Sequence, residues 1–175
     1  IGCYGFKLEG FGCVATNELI TRRLEVQKFN KKCKYESGYI CGDITEDATK
    51  NALYDQIALW KKREGLSRID VVIATPPCQG MSVANHKKSE TEIVRNSLVI
   101  ESIKVIKQIN PRFFIFENVP AFMKTICTDI DGEHKSIAAA IENNLGQAYS
   151  YTSRVINFKN YGACSSRQRT VVIGV

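Results

Sequence analysis

The sequence predicts an α/β fold built on a mostly parallel sheet with an antiparallel hairpin at its C-terminal end. Short, β-rich apolar runs alternate with segments of helical period, the order expected of parallel strands joined by crossover helices. The last two runs are separated only by a polar loop holding Gly162, Ser165 and Ser166, so they are expected to pair antiparallel. At 175 residues and 44% apolar composition, the chain is sized for one domain spanning residues 1–175 with a real core.

The elements follow in order. Ile1-Gly2-Cys3-Tyr4-Gly5-Phe6 is a glycine-bearing turn feeding a helix. Such a turn in a parallel α/β fold follows a first strand, which is expected to lie outside the chain. Strands are predicted over Cys13–Asn17, Gly38–Cys41, Asp70–Ala74, Arg112–Glu117, Ser153–Asn157 and Thr170–Val175. Helices are predicted over Leu19–Phe29, Asp47–Trp60, Glu92–Ile109 and Glu133–Leu145. In the third helix Leu98, Ile103, Val105, Ile106 and Ile109 supply the apolar positions, with lysines outside. Val171–Val175 is a strong strand with no helix after it, so the chain is expected to be a fragment of a longer protein.

A net charge of +6 and the clusters Lys28/Lys31/Lys32/Lys34, Lys61/Lys62/Arg63 and Lys87/Lys88 suit a polyanionic partner. For any one cluster a solvated surface is the commoner explanation. The seven cysteines are irregularly spaced and lack paired CxxC clusters, which argues against a zinc site or a disulfide framework and for reduced packing residues. There is no leader pattern and no run of about 18 apolar residues. A soluble protein with no membrane partner and no metal is expected.

The most informative segment is Ala74-Thr75-Pro76-Pro77-Cys78-Gln79-Gly80-Met81-Ser82, directly after the predicted strand Asp70–Ala74. Ligands gather beyond the carboxyl ends of strands in doubly wound sheets. Two prolines would fix φ near −65° and give the thiol a rigid mount. Taken alone, such a cysteine is more often a small buried hydrophobe than a nucleophile. The second segment, Phe113-Phe114-Ile115-Phe116-Glu117-Asn118-Val119-Pro120, runs four apolar residues into a carboxylate. Apolar surroundings disfavour a charged carboxylate, so Glu117 has the profile of a general acid. A solvated strand end is the alternative.

Together, strand-PPCQ and strand-ENV with a helix between resemble the cytosine-C5 methyltransferase family, and the likeness continues along the chain in the family's order. The resemblance implies a Rossmann-like, S-adenosylmethionine-dependent methyltransferase fold. Ile1-Gly2 looks like the end of the FxGxG cofactor turn. Asn17-Glu18, followed by Leu19, resembles the acidic end of the second strand, whose carboxylate takes the ribose hydroxyls. Gly42-Asp43-Ile44 resembles the adenine-binding turn, Pro76 lies beside the cofactor, and Arg95 and Leu98 match the RG-x-L segment, with Leu98 near the adenine. Tyr161-Gly162 and Arg167-Gln168-Arg169 resemble the GxPQxRxR element, although Cys164-Ser165 stand where the family has Pro-Gln.

What the resemblance implies is a DNA (cytosine-5) methyltransferase in which the Cys78 thiolate adds to C6 of the base and Glu117 protonates or hydrogen-bonds N3. Arg169 and Arg167 would stabilise the charge building up in the ring. The target base must be rotated out of double-stranded DNA. Gln79, Ser82, Lys87 and Lys88, with Asn85 and His86, suit a loop that touches DNA and closes behind the base. The product would be S-adenosylhomocysteine. The family likeness also implies a bacterial restriction-modification or phage enzyme, a monomer in the cytoplasm, or in the nucleus if eukaryotic, with a cognate restriction endonuclease as a partner. The family's target-recognition region and C-terminal motifs are expected to lie outside the chain. Two alternatives are a tRNA methyltransferase of the same superfamily and a catalytically silent DNA-binding module.

Overall fold

A computed structural model describes residues 3–77 and 98–175. The chain divides into two compact units, residues 1–67 and 68–175, each described here by itself.

In the first unit, α1 (Tyr4–Leu8), β1 (Thr16–Glu18), α2 (Thr21–Phe29), β2 (Tyr39–Cys41) and α3 (Asp47–Glu64) follow one another. β1 and β2 pair in parallel, with Thr16 opposite Tyr39 and Glu18 opposite Cys41. The strand expected over Cys13–Asn17 begins later, at Thr16. Upstream, Cys13 makes only an isolated parallel bridge to Cys33. The Val14 carbonyl accepts from the Gln56 side chain at 3.3 Å. That side chain thus fills a place a strand partner would take. α3 runs past the predicted Trp60 through Lys61, Lys62 and Arg63 and stops at Gly65, whose φ is 67°. Cationic side chains in the last turn complement the negative end of the helix dipole, which favours the extension. Leu24, Cys33, Ile40, Ile57 and Trp60 are buried apolar positions of this unit.

The second unit contains β3 (Val71–Ala74), α4 (Leu98–Ile109), β4 (Phe113–Asn118), β5 (Ile126–Thr128), β6 (His134–Ser136), α5 (Ile137–Leu145), β7 (Tyr151–Asn157) and β8 (Gln168–Gly174). Its main sheet has the order β3-β4-β8-β7. β3 and β4 are parallel, while β8 lies antiparallel between β4 and β7. The expected C-terminal hairpin is therefore present, and its second strand is inserted against β4. Period-2 alternation sends Phe114, Phe116 and Asn118 to one face, where they are buried. Val99, Ile103 and Ile106 of α4 and Ile137, Ile141 and Leu145 of α5 pack with Phe114, Phe116 and Val172 into one core. Each such side chain contributes about 1.5–3 kcal/mol when fully buried.

The helix predicted over Glu133–Leu145 begins only at Ile137, because His134–Ser136 pairs antiparallel with Ile126–Thr128. The turn between these strands uses Asp131-Gly132, with Gly132 at φ 85°, a combination that favours hairpins. Lys135 holds the turn together, lying 3.5 Å from Asp129 and 3.3 Å from Glu133 and also pairing with Asp131. Ser136 then caps α5 by accepting from the Ala139 N–H at 3.2 Å. Residues 92–97 of the third predicted helix lie outside the described residues, and the helix is described from Leu98. Among the described residues no helix is long and apolar enough to cross a membrane.

Candidate active site

Parallel pairing of β3 with β4, Ala74 opposite Phe116, makes both strands end at the same edge of the sheet. The segments that leave them, Thr75-Pro76-Pro77 and Val119-Pro120, are tied together there. Asn118 is buried at 4% exposure, and its side-chain amide donates to the Pro76 carbonyl at 2.9 Å. Its carbonyl oxygen accepts from the Val119 N–H at 2.8 Å. Opposite it in the β4–β8 ladder stands Thr170, buried at 1%, whose hydroxyl donates to the Pro120 carbonyl at 3.2 Å. A buried amide with both ends satisfied contributes to order, whereas removing it strands its partners without water.

Glu117 is the next residue along β4 and faces the opposite side of the sheet from Phe116 and Asn118. The run of apolar residues before it suggested apolar surroundings. Alternation instead places Glu117 on the half-exposed face with Phe113 and Ile115. There its Oε1 meets the Arg169 Nε at 3.1 Å. Val171 stands directly opposite Glu117, so Arg169 is the diagonal neighbour on the same face, within reach of a long side chain. The Arg169 Nη1 also donates to the Gln168 carbonyl at 2.7 Å, which fixes the guanidinium in place. Arg167 differs: it is exposed, its backbone carbonyl accepts from the Phe158 N–H at 2.9 Å, and its guanidinium makes no ion pair among the described residues.

In the first unit, Glu18 and Gly42 come to a common strand edge. Glu18 ends β1 opposite Cys41, and its carbonyl accepts from the Gly42 N–H at 3.2 Å. Asn17 reinforces this edge by donating to the Ile40 and Gly42 carbonyls at 3.3 and 3.0 Å. The Glu18 carboxylate accepts from the Ile20 N–H at 3.2 Å and lies 3.9 Å from Arg23. Asp43 accepts from the Thr45 N–H at 2.9 Å and its hydroxyl at 2.8 Å. These two bonds hold its carboxyl below the usual aspartate value. Gly42 admits no side chain, because a Cβ there would run into Thr49. Ile44 is half-buried and Leu19 is 62% exposed.

In the second unit, Pro76 is held by Asn118, and Leu98, half-buried, opens α4 and accepts through its carbonyl from the Ser102 hydroxyl at 3.2 Å. Ile1, Gly2, Cys78, Gln79, Ser82, Lys87 and Lys88, together with Asn85, His86 and Arg95, lie outside the described residues. Asn118 and Thr170 were not singled out by sequence. Its place on the buried side of the strand's alternation, in step with Phe114 and Phe116, is the signal that could have found Asn118. Among the described residues no cluster of three or more His, Cys, Asp or Glu side chains could hold a metal ion.

The family of C-5 cytosine-specific DNA methylases matches residues 2–175, through both units. The chain belongs to this family. Among the chain's relatives, the type II methyltransferase M1.HgaI of Avibacterium volantium is 30% identical over 98% of the chain and 46% of its own length. The type II methyltransferase M.NmeDI of Neisseria meningitidis serogroup C is 31% identical over 97% of the chain and 40% of its own. A putative DNA modification methyltransferase encoded within an E. coli prophage shares the fold with a TM-score of 0.61 at 21% identity, covering 91% of this chain and 38% of that one. The S. pombe Dnmt2 methyltransferase shares it at 0.57 and 16% identity, over 92% and 42%. The chain thus spans less than half the length of these relatives.

Proposed function

We propose that the protein is an S-adenosylmethionine-dependent DNA (cytosine-5) methyltransferase that works on a cytosine flipped out of double-stranded DNA. The two units are the parts of one catalytic domain in this reading, supported by a family match that runs through both. The observation that carries the reading is the Glu117–Arg169 pair, 3.1 Å apart at the strand edge where Asn118 holds Pro76.

The donor set fits the cofactor. Glu18 and Asp43 are carboxylates at strand ends, bonded on one side by backbone N–H groups and half-exposed, as vicinal hydroxyls and an adenine edge require. The family resemblance adds Leu19, Ile44, Leu98, Pro76, Ile1 and Gly2 as candidate cofactor contacts. When bound, S-adenosylmethionine supplies an electrophilic sulfonium methyl.

The chain's own residues do the rest. The Cys78 thiolate adds to C6 of the base, which makes C5 nucleophilic. Glu117 holds the proton at N3. One of its oxygens is engaged by Arg169, which leaves the other for the base. Arg169 is a fixed cationic donor beside the ring, worth most where water is excluded; Arg167 is the weaker assignment, standing exposed in the loop. After C5 is methylated, its proton leaves and Cys78 is eliminated, which restores the aromatic base. Gln79, Ser82, Lys87 and Lys88 contact the DNA. The protein acts as a cytoplasmic monomer, and the type II names of its relatives favour a paired restriction endonuclease.

The test is a covalent trap. The full-length protein with S-adenosylmethionine and a 5-fluorocytosine duplex is expected to form an SDS-resistant adduct that Cys78→Ser abolishes. An adduct with tRNA alone would move the substrate to RNA, and none with any nucleic acid would leave a silent binding module.

A further inference from the structure

The first unit holds a cysteine pair that the methyl-transfer reading does not use. Cys13 and Cys33 face each other across an isolated parallel bridge, with their sulfurs 3.5 Å apart. Bridged strands lie about 4.8 Å apart, inside the Cα range that a disulfide spans, and a bond of about 2.05 Å needs the sulfurs to approach by only about 1.5 Å. The pair is held in place. The Cys33 N–H donates to the Tyr39 hydroxyl at 2.8 Å. Behind Cys33, Gly38 closes the slot: a Cβ there would lie 3.3 Å from the Cys33 sulfur and 2.7 Å from the Val14 carbonyl. The Cys33 side chain is therefore backed by main chain and faces Cys13.

The two thiols are not equivalent. Cys13 is half-buried, whereas Cys33 is 7% exposed. The hydrogen bond from Cys33 and, against the effect of burial, the Lys32 charge bring the Cys13 thiol down to about 7. The same bond and burial push the Cys33 thiol up. Lys32 is itself anchored, bonding Thr16 at 2.8 Å and Gln27 at 2.9 Å. One reachable thiolate beside one shielded thiol is the arrangement of an attacking and a resolving cysteine.

We propose that Cys13 and Cys33 form a reversible oxidation site for small peroxides. The Cys13 thiolate attacks a peroxide oxygen, breaking the O–O bond, and becomes a sulfenic acid, while the expelled hydroxide or alkoxide takes a proton from solvent and leaves as water or an alcohol. The Cys33 sulfur then attacks the Cys13 sulfur, the S–O bond breaks, and the Cys33 proton leaves with the hydroxide as water. Two thiols are oxidised by two electrons and one peroxide is reduced. The bond ties the chain entering β1, which ends at Glu18, to the segment that follows α2.

The test uses reduced full-length protein treated with hydrogen peroxide, quenched with a maleimide and mapped as peptides without reductant. A Cys13–Cys33 linked peptide that dithiothreitol removes is expected. In Cys33→Ser, a sulfenic acid at Cys13 should be captured by dimedone, while Cys13→Ser should leave Cys33 alkylatable. Unmodified Cys13 should also react with iodoacetamide about threefold faster at neutral pH than an ordinary thiol, its larger thiolate fraction being partly offset by the lower nucleophilicity of a more acidic thiol. Wild-type mapping alone decides if a variant fails to fold. Full alkylation of both residues after peroxide, over-oxidation of Cys13 without a link, or linkage to Cys3 instead would each overturn the proposal. None of these readouts depends on methyl transfer.

Discussion

At the carboxyl ends of the two parallel strand pairs an asparagine bonds across the edge in both, Asn17 to Ile40 and Gly42 and Asn118 to Pro76, but the carboxylates are held in different ways. At the end of β1–β2, Glu18 and Asp43 are bonded by N–H groups only two residues further along the chain. At the end of β3–β4, Asn118 and Glu117 are bonded by Pro76, 42 residues back, and by Arg169 on another strand. Locally bonded carboxylates keep lone pairs open to a ligand that arrives and leaves. Groups bonded across strands have their separations set by the sheet, which suits chemistry that tolerates little misplacement.

The sharpest way to break this contrast is to neutralise one carboxylate at each end in the full-length protein. Glu117→Gln should lower kcat by about 10²–10⁴-fold, the range for a general acid, with little change in KM for S-adenosylmethionine. Glu18→Gln should do the reverse, raising that KM roughly tenfold or more, since hydrogen bonds to charged groups are worth about 1.5–3 kcal/mol. Steady-state methyl transfer measures both, and equal splits would erase the distinction.

A smaller effect is expected from Asn118→Ala, which strands the Pro76 carbonyl and the Val119 N–H and should cost about 1–3 kcal/mol in urea unfolding. Thr170→Val should cost less, about 0.5–1.5 kcal/mol, having lost one hydrogen bond. If Asn118→Ala were neutral, the cross-strand staple would not be what orders this edge.

The smallest effect concerns acid. The Asp43 carboxyl is lowered by its two bonds to Thr45, so the native state takes up this proton at lower pH than the unfolded chain. Its contribution is complete above about 3.9 and is lost as pH falls through the lowered native value. Asp43→Asn should therefore lose less stability than wild type as pH falls below about 3.9 in thermal melts. An identical slope would mean that the local bonds contribute nothing to folding.

Legibility differed with the range of the interactions. The β3 and β4 runs, the C-terminal hairpin and the core helices α4 and α5 were readable because their apolar pattern repeats over many residues. β5 and β6 were not, since three-residue strands leave no periodicity and the Asp131-Gly132 turn signal stood directly before the predicted helix start at Glu133. The lysine cluster near residue 30 shows the same limit: Lys28 pairs with Glu36 and Lys34 with Glu64, pairings that spacing alone does not disclose. The Cys13–Cys33 contact was also hidden, because both residues looked like ordinary packing positions.

The α/β class, the family and the groups expected to do chemistry can be read from the chain alone, because motif order and apolar period are properties of the chain. That Arg169 rather than Arg167 reaches Glu117, that Asn118 holds Pro76, and that β8 enters between β4 and β7 emerge with folding. Those outcomes depend on strand register, where a shift of one residue exchanges the two faces of a sheet, and register is set by contacts between residues far apart in sequence.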